Sequence, residues 1–202
     1  MKVSYVRGSE EDGAKFWLRR VGWEASEAAK RIVEENDPGE TGHIADVGGA
    51  HGREALWFAE HGFDSILVEP NKFSLRLVKE RAKDKRLDVN LIRAALPYLP
   101  LRSEVIEIVD LYWTLHQILD EHKLESLNEA HRILKPNGSL YSTSFGNWED
   151  QNMPSSIYPI AKKETFLKLH RSAGFKPLTE IEKRSDSIMP HEKFWYGKFQ
   201  RL

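Results

Sequence analysis

"IADVGGAHGREALWFAEHGF", residues 44–63, runs from an apolar stretch through a cluster of glycines into an amphipathic one. Short apolar run, glycine turn and helical periodicity read as strand, tight turn and helix. The glycine spacing decides which ligand the turn suits. A dinucleotide turn has Gly-x-Gly-x-x-Gly, its last glycine letting helix and strand pack closely under the pyrophosphate. Counted from Gly48, the second and third positions are Ala50 and Arg53, so two of the three glycines are missing. A phosphate-cradling Gly-x-x-x-x-Gly-Lys-Ser/Thr loop is absent as well. What remains is Asp46-x-Gly48-x-Ala50-x-Gly52, with Gly49 inside it and Glu69-Pro70 closing the next apolar run.

Outward from that turn, apolar runs predict strands over 43–47, 65–69, 89–92, 105–110 and 139–144. Amphipathic stretches between them predict helices over 53–61, 71–83 and 121–134. Strands alternating with helices are the pattern of βαβ units in a parallel sheet. Upstream, Phe16, Trp17, Ala28, Ala29, Ile32 and Val33 fall at helical spacing and predict one or two helices, ended by "NDPGETG" at 36–42. Downstream, a helix over 163–173 leads to "FKPLTEIEKR" and "KFWYGKFQRL", joined by "SDSIMPHE", which read as an antiparallel hairpin. Gly62 and Gly174 are placed as helix C-caps, and "KPNG" at 135–138 as a turn.

Bulk composition narrows the function classes. A chain of 202 residues, 40% of them apolar, suits one domain with a sizeable core and no second one. Thirty Lys and Arg against 31 Asp and Glu leave a net charge of −1, which gives no general attraction to nucleic acid or to an anionic membrane. A local basic patch stays open. No apolar run approaches the roughly 20 residues that span a bilayer, and the start "MKVSYVRGSEEDG" has no apolar signal core. The expected location is the cytoplasm. Without cysteine there are no disulfides, thiolate metal sites or cysteine nucleophiles. The histidines show no metal-type grouping with one another or with carboxylates, so no metal is expected.

The turn and the segments downstream of it resemble the class I S-adenosylmethionine-dependent methyltransferases, whose first motif is Asp-x-Gly-x-Gly-x-Gly after the first strand. "SILVEPNKFSLRLVKERA" looks like the second strand and its helix, and "LPYLPLRSEVIEIVDLYWTLHQI" like the third loop and fourth strand. "EHKLESLNEAHRILKPNGSLYSTSF" looks like the fifth helix and strand, and "TFLKLHRSAGF" like the helix before the final hairpin. The likeness covers about residues 40–202, in the family's order. It implies a Rossmann-like doubly wound α/β sheet, mostly parallel with an antiparallel C-terminal hairpin strand and helices on both faces. It also implies one methyltransferase domain over 1–202, a helical cap at 1–40 and a core at 41–202.

The cofactor so implied is S-adenosylmethionine, which carries no phosphate and needs close backbone approach rather than a nest of amides. By the resemblance, Gly48 and Gly52 give that approach, with Gly49 and Ala50 beside them, and Asp46 shapes the loop and faces the methionine amino end. For Asp46 the plainer alternative is a helix cap. Glu69 accepts from both ribose hydroxyls. Pro70, Ala95, Leu96 and Leu111 complete the cofactor set, with Ala95 standing where the family often has an acid for the adenine amino group. Ala50 replaces the usual middle glycine, which suits a negative φ.

After the fourth strand, "DLYWTLHQI" places Asp110, Tyr112 and His116 as candidate catalytic groups, with Trp113 also facing substrate. A hydroxyl, thiol or protonated amine needs a base there; a carbanion, neutral amine or thiolate does not. The alternative for His116 is packing against the sheet. Trp17, Trp23, Phe145, Trp148 and Tyr158 line either an acceptor pocket or a packed lid. His191 is an exposed turn residue or an active-site neighbour. The leading reading is a methyltransferase for a small-molecule acceptor. Its rivals are a protein or RNA methyltransferase, a cofactor-binding module without turnover and, against the missing glycines, a nicotinamide-dependent oxidoreductase.

Overall fold

A computed structural model describes residues 10–146, 158–184 and 193–202. Its eight strands form a mixed sheet flanked by helices, the Rossmann-like α/β class the sequence predicts. The chain divides into two compact units, Met1–Ala95 and Leu96–Leu202.

The first unit begins with α1 (Glu10–Val21) and α2 (Glu27–Glu35). Gly22, at φ 64, ends α1 in a left-handed turn, and the Ser26 side chain caps α2 by accepting from the Ala29 amide at 3.1 Å. Next come β1 (His43–Val47), α3 (Arg53–Glu60), β2 (Asp64–Val68), α4 (Lys72–Lys85) and β3 (Val89–Ile92). Within this unit the strand order is β3-β2-β1, all parallel. Val47 pairs with Val68 and Val68 with Ile92, so the three strands end level. The loops after them therefore emerge together at the carboxyl edge, the side where open parallel sheets bind ligands. Ala55, Leu56, Leu67, Val78 and Ala82 form the core between α3, α4 and the sheet, with Trp23 packed against it.

The second unit holds β4 (Ile106–Leu111), α5 (Asp120–Ile133), β5 (Leu134–Phe145), α6 (Lys163–Ser172), β6 (Phe175–Pro177), β7 (Glu182–Arg184) and β8 (Phe194–Arg201). β4 and β5 are parallel, and β8 lies antiparallel to β5 with β6 and β7 on its other edge. The expected hairpin is thus present as two short strands against one long one. β5 is longer than its apolar pattern. Its "KPNG" segment is a bulge inside the strand: Ile106 pairs with Leu134 and Ile108 with Ser139, so β5 spends five residues where β4 spends two. Asn137 takes φ 65, and a Cβ on Gly138 would stand 2.9 Å from the Lys135 carbonyl oxygen.

Candidate functional site

At the carboxyl edge of the first unit, the glycine turn wraps around Asp46. This carboxylate is 2% exposed and accepts from the Ala55 amide at 3.2 Å, which caps the first turn of α3. A Cβ on Gly49 would lie 2.1 Å from Asp46 Oδ2, so this position admits only glycine without displacing the acid. Gly48, at φ 79, donates its amide to the Val68 carbonyl at 2.7 Å and ties the turn to β2. Ala50 has φ 49, not the negative value that its side chain prefers. A left-handed conformation costs an L-residue roughly 1–2 kcal/mol. Gly52, at φ 69, faces the core: a Cβ there would meet Val78 Cγ2 at 2.6 Å and Leu67 Cδ2 at 3.1 Å. Its lack of a side chain serves the seating of α3 against β2 and α4.

Glu69, just past β2, holds the turn from the next strand. Its Oε2 accepts from the Ala50 amide at 2.9 Å and its Oε1 from the Asn71 amide at 2.8 Å. Asn71 is a cap rather than a helical residue, its Oδ1 accepting from Phe73 and Ser74. Burial pushes the Glu69 carboxyl up to about 7, against the opposing pull of the Asn71 and Ala50 amides. Each carboxylate oxygen has two lone pairs, so one remains on each for a further donor. That capacity matches the adjacent hydroxyls of a ribose. Pro70 and Ala95 are half-buried beside this acid and after β3, and the Pro70 carbonyl accepts from Arg93 at 3.0 Å.

Three residues to which sequence reasoning gave no binding role tie the segment between α1 and α2 to the turn. His51, 2% exposed, meets the Gly22 carbonyl through Nε2 and stands edge-on to Trp23. Burial lowers its pKa. Arg53 pairs with Glu54 at 2.8 Å and reaches the Glu24 carbonyl at 3.3 Å, while Glu54 accepts from the Ser26 amide at 3.3 Å. The sequence signal was a charged pair at the buried start of an apolar helix, which water does not satisfy.

The second unit gathers the other candidates. Asp110 and Leu111, at the end of β4, are buried, as is Leu96. Tyr112 stacks on Trp113 at 5.2 Å, and Phe194 stands edge-on to Tyr112 at 6.0 Å. Trp113 takes φ 55, an outlier for a bulky residue, and its amide donates to Thr143 Oγ1 at 2.7 Å. His116 is fully buried, 4.1 Å from the Phe145 ring, and neither ring nitrogen has a hydrogen-bond partner among the described residues. Burial, then the charge of Lys123, pushes its pKa down to about 3. Lys123, also passed over in the sequence, is 2% exposed and bridges Asp120 and the Tyr158 carbonyl, while the Tyr158 amide donates to the His116 carbonyl at 2.6 Å. Trp148 and His191 lie outside the described residues. Among those described, no His, Asp and Glu group suits a metal ion, and no helix is long and apolar enough to cross a membrane.

Residues 45–142 match the family model described as a methyltransferase domain. In structure the chain is similar to the 1,6-didemethyltoxoflavin-N1-methyltransferase of Burkholderia thailandensis, solved with 1,6-didemethyltoxoflavin and S-adenosylhomocysteine. That match has TM-score 0.75 and 16% identity over 96% of this chain and 84% of that one. A SAM-dependent methyltransferase from Methanosarcina mazei matches with TM-score 0.73 and 16% identity over 85% and 97%. Another, from Aquifex aeolicus, gives TM-score 0.71 and 14% identity over 95% and 99%. At these identities the structural likeness is one of fold.

Proposed function

We propose that the chain, whose residues 45–142 match a methyltransferase-domain family model, is a class I S-adenosylmethionine-dependent methyltransferase that methylates a small molecule held by the aromatic side chains of its C-terminal unit. The observation that supports the acceptor class is the run of ring contacts from Phe194 through Tyr112 and Trp113 to Phe145, which lies against the uncharged His116. Aromatic rings gathered after β4 suit a flat, largely apolar acceptor. The near-neutral chain gives no general attraction to RNA, and the Burkholderia protein with 1,6-didemethyltoxoflavin bound supports a small acceptor.

On this reading Glu69 holds the ribose, and Asp46, Gly48, Gly49, Ala50 and Gly52 form the turn against the methionine end. Pro70 and Ala95, of the same unit, supply apolar contact. The bound cofactor supplies a methyl carbon already activated by positive sulfur. The chain's own work is then to align the acceptor and exclude water. His116 accepts a hydrogen bond from the acceptor rather than its proton, since an imidazolium there would be buried near the Lys123 ammonium. Asp110 and Tyr112 are the remaining candidates for proton removal.

The test is incubation with S-adenosylmethionine labelled in its methyl group and a cell extract separated into small-molecule, RNA and protein fractions. Label in the small-molecule fraction is the expected result. Label in RNA or protein would overturn the acceptor class, and S-adenosylhomocysteine binding with no label anywhere would favour a module without turnover.

A further inference from the structure

Glu10, the first residue of α1, is tied into the cofactor edge of the N-terminal unit. Its carbonyl accepts from Asn71 Nδ2 at 2.6 Å, and its Oε1 pairs with Arg93 Nη2 at 3.3 Å. Arg93 in turn holds the Pro70 carbonyl through Nε at 3.0 Å. The second carboxylate oxygen of Glu10, Oε2, is buried and has no hydrogen-bond partner among the described residues. An ionised carboxylate accepts at both oxygens, and a buried one left unmet is costly until a donor arrives. The negative charge of Glu10 is felt at Glu69, where it helps raise the pKa.

The register shows where that oxygen waits. The carboxyl ends of β1, β2 and β3 are level, with the glycine turn after β1, Glu69 after β2 and Arg93 after β3. Glu10, paired with Arg93, therefore lies toward β3, one strand further from the turn than Glu69. A nucleoside with its sugar on Glu69 and its amino-acid tail on the turn extends its base toward β3. The free lone pairs of Glu69 equal the ribose hydroxyls in number, which leaves the exocyclic amine of adenine as the donor not yet met. Ala95, in the loop after β3, has no polar side chain to meet it.

We infer that the Glu10 carboxylate, through its unpartnered Oε2, accepts a hydrogen bond from the adenine amino group of bound S-adenosylmethionine. The cap helix thereby reads the base that the β3 loop leaves unread. This rests on the cofactor assignment proposed for Glu69 and the glycine turn. Calorimetric titration of S-adenosylhomocysteine, and of its analogue with purine in place of adenine, into the full chain and its Glu10→Ala variant tests it. The unaltered chain should prefer the adenine compound by about tenfold, as a hydrogen bond to a charged group gives, and Glu10→Ala should bind the two alike. A general loosening of α1 lowers both affinities and leaves their ratio intact. An unchanged preference in Glu10→Ala, or equal binding of the two compounds by the unaltered chain, would overturn the assignment of Glu10. Failure of the unaltered chain to bind S-adenosylhomocysteine at all would instead overturn the cofactor assignment on which it rests.

Discussion

Replacing His170 should change how the protein tolerates acid, by an amount the structure sets. His170 is fully buried on α6, its Nδ1 donates to the Phe166 carbonyl at 2.8 Å, and its ring lies on Phe199 at 4.1 Å with an 8° interplanar angle. Its Nε2 has no partner among the described residues, and burial pushes its pKa down to about 4 from 6.5. Below pH 6.5 the unfolded chain therefore takes up a proton here that the folded one refuses. Folding stability falls as pH drops through this window, at about 1.4 kcal/mol per pH unit for one proton, or about 3 kcal/mol from pH 6.5 to 4. His116 adds a loss of the same sign. In His170→Leu the helix still occupies the Phe166 carbonyl, so the variant has similar volume and no titrating group. Urea unfolding of both proteins at several pH values between 7.5 and 4.5 reads the slope. His170→Leu should lose stability less steeply by close to one proton's worth, whatever its offset at pH 7.5. Parallel curves would refute the buried, neutral assignment.

Cofactor binding should carry a pH signature of its own. Ribose hydroxyls donate best to an ionised Glu69, whose pKa of about 7 lies above the usual range. S-adenosylhomocysteine should bind more weakly as pH falls below 7, approaching tenfold per unit, and Glu69→Gln should flatten that dependence in calorimetry. Ala50→Gly should stabilise the protein, because relief of the left-handed strain, about 1–2 kcal/mol, exceeds the unfolded-state entropy that glycine adds, about 0.4–1 kcal/mol. A rise in Tm of about 1–4 °C in calorimetric scans is expected, and a fall would place Ala50 in an unstrained conformation.

Apolar runs gave β1 and β3 to the residue, the one buried from Ile44 to Val47 and the other an edge strand with Asn90 exposed. Asp46 and Glu69 were legible as acids at strand ends. The backbone around them was not, since the positive φ of Ala50 is imposed by the amide that donates to Glu69, 19 residues away. Gly52 carried a signal for glycine but not the reason, which is its contact with Val78 on α4 and Leu67 on β2. The bulge at "KPNG" shows turn chemistry overridden by pairing: the residues break a ladder locally, yet β4 offers partners on either side. Glu10 and Lys123 belong to no motif in the sequence, and only tertiary contacts with Asn71, Arg93 and Tyr158 reveal them as tethers.

The central claim is that the turn after β1 and the acid after β2 together hold S-adenosylmethionine. Isothermal titration of S-adenosylhomocysteine into the unaltered chain and into Glu69→Ala tests it most directly. Removal of two charge-assisted hydrogen bonds, at about 1.5–3 kcal/mol each, predicts binding weakened by at least tenfold with the fold intact by circular dichroism. An equal dissociation constant for the two proteins would contradict it.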